Sequence, residues 1–132
     1  MVVELSNAHD WLALHAMVGD ALQVARELRE VEPQWAGVIY YNAAGCYTSL
    51  GQHAKAIEQY EQSLAIFEEL GDRVVQGNAF GNLANCYQSL GLYAKAIEQF
   101  EQSLAIFEEL GDRVVQGNAF GNLANCYQPL GL

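Results

Sequence analysis

Apolar residues in the second half of the chain recur at helical spacing. Phe80, Leu83, Ala84 and Tyr87 stand at i, i+3, i+4 and i+7, one face of an amphipathic helix. Asp72 is a good N-cap for that helix, and Gly91 a good residue to end it. Ile97, Phe100, Leu104 and Phe107 follow at three- and four-residue steps and predict a second helix from about Tyr93 to Leu110, closed by Gly111. Each helix is then about 18 residues, or roughly 27 Å at 1.5 Å per residue. Only Gly-Asp separates one such helix from the next, so neighbours must pack antiparallel. No alternating pattern predicts a strand.

The same pattern returns every 40 residues. Residues 54–92 and 94–132 match throughout except at Tyr60 against Phe100 and Ser89 against Pro129. Identity of this degree means recent duplication or deliberate construction. An older copy, residues 40–47, lines up with residues 80–87. Small residues Ala84, Ala96 and Ser103 stand where helices would cross, with aromatic Tyr87 and Phe100 filling the volume beside them. The expected fold is all-α, an α-solenoid of about seven helices in antiparallel pairs.

The ends are less regular. Trp11, Leu12, Leu14, His15 and Met17 predict a helix ending at Gly19, and Leu22, Ala25 and Leu28 a second from Asp20 to about Glu30, stopped by Pro33. Residues 1–34 thus read as a degenerate helix pair capping the stack, 35–71 as repeat 1 and 72–111 as repeat 2. Residues 112–132 read as the first helix of an incomplete third repeat, in which Pro129 ends the last turn. Phe120, Leu123 and Tyr127 on that helix would normally be covered. Wet apolar surface costs ~25 cal/mol per Å², so the expectation is self-association, a homodimer formed through the C-terminal end.

The order Phe80, Leu83, Ala84, Tyr87, Ala96, Phe100, Ser103 resembles the tetratricopeptide signature of aromatic, Leu, small, Tyr, small, aromatic, small. The 40-residue period is similar to that of the long-helix subgroup found in Leu-Gly-Asn-type adaptors, kinesin light chains and bacterial repeat proteins. The resemblance implies a superhelix whose first helices line a concave groove, where amides contact a protein or peptide ligand.

A polar stripe runs beside the apolar one. Asn78, Asn82, Asn85 and Ser89 stand at i, i+4, i+7 and i+11, repeated as Asn118, Asn122 and Asn125; the older copy keeps Asn42 and Ser49. Asparagine is a mediocre helix former, so three per helix cost intrinsic stability. An amide both donates and accepts, which suits reading the backbone of an extended peptide. The same amides could equally link neighbouring helices or face water. A clamp for a carboxylate tail needs Lys or Arg in the groove, and Tyr41, Gly81 and Gly121 occupy the matching position.

Composition and charge narrow the rest. The chain has 132 residues, 52% hydrophobic, with a formal charge of −10. Its six basic residues are scattered singly, which argues against nucleic acid and against an anionic membrane surface. No apolar run spans a bilayer, and Met1 to Leu5 lacks the features of an export signal. Cys46, Cys86 and Cys126 fall one per repeat and read as small packing residues in a reducing, cytoplasmic compartment. Glu58 with Glu61 and Glu98 with Glu101 have the i, i+3 spacing of di-metal bundles, yet no Glu-x-x-His completes such a site. The expectation is a solvated glutamate face, no metal, no cofactor and no catalysis.

Overall fold

The computed structural model describes residues 8–131, with side chains from Ala13 onward. Among them are six α-helices: α1 (Ala8–Leu28), α2 (Pro33–Ser49), α3 (His53–Leu70), α4 (Arg73–Ser89), α5 (Tyr93–Leu110) and α6 (Arg113–Tyr127). A 3₁₀ turn, Gln128–Leu130, follows. Each helix packs on the next, with α2 on α3 and α4 on α5 in the closest contact. The architecture is an all-α stack of helix pairs.

Local chemistry sets the helix ends where the sequence places them. Asp72 is the N-cap of α4, its Oδ1 accepting from the Val75 N–H at 3.2 Å, and Asp112 does the same for α6 with Val115 at 3.1 Å. Gly71 and Gly111 close α3 and α5 at φ 73°, a left-handed conformation that a β-carbon would oppose. Those two residues, Gly and Asp, are the whole link between antiparallel helices. Pro129 acts as expected: α6 gives way to the 3₁₀ turn, whereas α4, with Ser89, stays helical two residues longer.

The N-terminal region departs from the sequence reading. No break occurs at Gly19, and α1 runs through it as one helix of 21 residues. Val18, Leu22 and Ala25 are buried on either side of it and continue one stripe. A single glycine costs a helix only ~1 kcal/mol, which that stripe outweighs. There are therefore six α-helices among the described residues, against an expectation of about seven. Pro33 likewise opens α2 at its first turn, where no N–H is needed, instead of merely ending its predecessor. The side chains of His9, Trp11 and Leu12, and the whole segment Met1 to Leu5, lie outside the described residues.

The expected crossing points are real. Ala84 and Ala96 are fully buried, and Ser103 nearly so. Ser103 Oγ donates to the Gly77 carbonyl at 2.8 Å, and Ser63 Oγ to Gly37 at 2.9 Å. A serine can bond a backbone carbonyl of the facing helix only where the axes come close. Gln76 Nε2 donates to the Phe67 carbonyl at 2.9 Å, fastening the start of α4 to the end of α3. These bonds satisfy polar groups that burial would otherwise penalise.

Candidate binding groove

A cavity of about 350 Å³ opens between α4 and α6 with α5 as its floor. Asn78, Asn82 and Asn85 enter it from α4, and Asn118 and Asn122 from α6. No charged side chain lines it. Five of the seven predicted asparagines thus converge. Asn42 does not join them; it borders a separate, mainly apolar hollow between α1 and α2 with Leu14, Met17 and Cys46. Asn125 is exposed and borders neither.

Several exchanges between repeats set this layout, Tyr41 against Gly81, Val38 against Asn78 and Gly45 against Asn85. Asn82 Nδ2 donates to the Tyr41 hydroxyl at 2.7 Å, joining α4 to α2. The Tyr41 ring stands edge-on to Tyr60, centroids 5.4 Å apart. Forty residues on, the pair equivalent to Tyr41 and Asn82 is Gly81 and Asn122. Where the tyrosine stands, the junction of α2 with α4 holds a hollow of about 170 Å³, and where the glycine stands, the junction of α4 with α6 holds the larger one of about 350 Å³. Asn82 therefore serves the linking role that the sequence reading kept open, while also bordering the cavity. Burial raises the Tyr41 hydroxyl pKa against the lowering effect of the Asn82 bond, and burial with Tyr41 nearby pushes Tyr60 up to about 12. Both hydroxyls stay neutral well above physiological pH.

Burial pushes the Cys86 and Cys126 thiols above their ordinary value, away from the reactive thiolate. Thr48 Oγ1 lies 3.7 Å from Cys86 Sγ. The glutamates of α3 and α5 lie on exposed positions, where Glu109 pairs with Arg73 at 2.8 Å. That ion pair holds the Glu109 carboxyl below its usual range. Among the described residues no three His, Cys, Asp or Glu side chains gather as metal ligands. Nor, among them, is any helix long and apolar enough to cross a membrane.

The C-terminal trio is split. Leu123 is buried beside Phe100, Ala96 and Cys126. Tyr127 is half-buried, its hydroxyl donating to Glu101 at 3.3 Å. Phe120 alone stands open, 57% exposed, where Tyr40 in the equivalent place is 5% exposed. The three do not form one continuous uncovered face.

A family profile described as "Tetratricopeptide repeat" matches residues 16–69 and 75–131. No curated protein matches the chain. Among solved structures, a signal transduction ATPase with numerous domains and a tetratricopeptide repeat sensor, from Pyrococcus horikoshii, superposes with TM-score 0.72 at 22% identity. The match covers 86% of this chain and 18% of the ATPase, so this chain spans less than a fifth of that protein. The N-terminal domain of stress-induced protein-1 from C. elegans superposes with TM-score 0.62 at 19% identity, over 89% of this chain and 98% of that domain. At such identities the likeness speaks for the fold alone.

Proposed function

This chain belongs to the tetratricopeptide repeat family, and we propose that it is a non-catalytic scaffold holding a protein partner by an extended peptide segment in the groove between α4 and α6. The observation that carries the reading is the convergence of five asparagines around one uncharged cavity. Amides match the alternating donors and acceptors of a peptide backbone. An uncharged lining favours main-chain contacts over a charged terminus or phosphate. The repeat sensor of the ATPase is a precedent for using such a stack to detect something else. Unpaired Cys46, Cys86 and Cys126 suit a reducing, cytoplasmic setting.

Peptides selected from a random displayed library against the intact chain provide the test. A net hydrogen bond contributes about 0.5–1.5 kcal/mol, so Asn82→Ala with Asn122→Ala should weaken a selected extended peptide roughly tenfold. Alanine is the better helix former, and circular dichroism should show the fold retained. Equal affinity of wild type and double variant for every selected peptide would exclude the groove.

A further inference from the structure

We infer that the segment bound in the groove also carries one apolar side chain, of leucine or phenylalanine size, seated in the hollow of about 170 Å³ between α2 and α4. The inference rests on the groove reading given above and adds which peptides the groove accepts. The two hollows are one junction met twice. Val38, Tyr41, Phe67, Val75 and Asn78 line the first. Forty residues on, Asn78, Gly81, Phe107, Val115 and Asn118 line the second. Phenylalanine and the second valine are kept between them, while the first valine has become asparagine and tyrosine has become glycine. The junction is therefore small and apolar in one repeat, large and amide-lined in the next. Tyr41 and Asn78 border both hollows, so a segment lying in one continues into the other.

The walls of the smaller hollow are held in place by the fold itself. Phe67 is buried and wedged against Gly37, where a β-carbon would stand 2.7 Å from its ring. The Tyr41 ring is fixed edge-on by Tyr60 at 5.4 Å, and its hydroxyl by Asn82 at 2.7 Å. Val38 stays 39% exposed beside them. A preformed site spares the ligand the cost of ordering it. An apolar cavity of about 150 Å³ holds a benzene-sized molecule, so this hollow suits leucine, isoleucine, methionine or phenylalanine and is small for tryptophan. Neither hollow has a charged residue in its lining. α2 carries no charge along its length, and Arg73 of α4 is held by Glu109. A lysine or glutamate in the seat would have no partner for its charge.

Random displayed peptides selected on the intact chain supply the probe, resynthesised with a fluorescein label and titrated by anisotropy. One fixed apolar position is expected among them. Replacing that residue by alanine should weaken binding by about 10-fold or more, the effect of losing a buried anchor. Val38→Asn gives α2 the residue that α4 carries at Asn78. It should shrink the alanine penalty to about 3-fold or less, because both changes remove the same contact. Asparagine and valine are similar helix formers, so the variant keeps its fold, which circular dichroism checks. Val24→Asn, an exposed valine on α1 that lines neither hollow, should leave the penalty at full size. Selected peptides without a fixed apolar position overturn the inference, and so does an alanine penalty that Val38→Asn leaves unchanged. In either case Asn82→Ala with Asn122→Ala still weakens the peptides, and the groove reading stands. If that double variant instead binds every peptide as wild type does, or if none is selected, the groove reading fails and this inference with it.

Discussion

Phe100→Ala is expected to destabilise the chain by about 3–5 kcal/mol, the cost of deleting a buried aromatic and leaving a cavity. Phe100 is 2% exposed and packs with Ala84 of α4, Ala96 of its own helix, and Leu123 and Cys126 of α6. It thus joins three helices at once. In a stack where each unit touches only its neighbours, stability is a sum of unit and interface terms, and this change weakens two interfaces together. Against a usual total of about 5–15 kcal/mol the loss is large. Urea unfolding followed by circular dichroism should show a much lower midpoint, with α6 released before α2 and α3. An unchanged midpoint would mean that the ring is not part of the core.

The second large effect is a difference of sign at one repeat position. Gly77→Ala should destabilise by about 1–2 kcal/mol, because the new methyl overlaps a buried ring and overpacking of this kind costs about 1–3 kcal/mol. Its β-carbon would lie 2.6 and 2.8 Å from Phe107 Cε2 and Cζ, and 3.1 Å from Ile106 Cγ2. Phe107 and Ile106 are themselves buried. Separating the helices to make room would also lengthen the bond from Ser103 Oγ to the Gly77 carbonyl. Gly117→Ala, with nothing near it, should instead stabilise by about 0.5–1 kcal/mol through helix propensity alone. Thermal melts of the two single variants read the difference directly. The same sign at both positions would contradict the packing described for α4 on α5.

Most of the fold was legible because its determinants are local. Asp72, Asp112, Gly71 and Gly111 mark helix ends by short-range chemistry, and the apolar spacing gives the buried face of each helix without knowledge of the partner. The break expected at Gly19 failed for the opposite reason: a local penalty of ~1 kcal/mol yielded to burial of Val18, Leu22 and Ala25, which depends on α2. The importance of Gly77 was hidden because it rests on Phe107, thirty residues later. A glycine inside each first helix at Gly37 and Gly77 was the available signal.

The candidate site was legible in part. Spacing identified the asparagine stripe, but which members meet depends on the size of the gap between helices, about 170 Å³ beside Tyr41 and about 350 Å³ beside Gly81, a long-range property. Leu123 was grouped with Phe120 by heptad-like spacing, yet at about 100° per residue the two lie about 60° apart around the helix. That angle turns Leu123 toward α5 and Phe120 away from it.

The central claim is that α4 and α6 present one amide-lined groove to a peptide. Titrating the isotope-labelled chain with a library-selected peptide and following its side-chain amide resonances by NMR tests this most directly. Shifts at Asn78, Asn82, Asn118 and Asn122, with Asn42 undisturbed, are the predicted result. Shifts confined to the glutamate positions of α3 and α5, with those four amides unmoved, would contradict it.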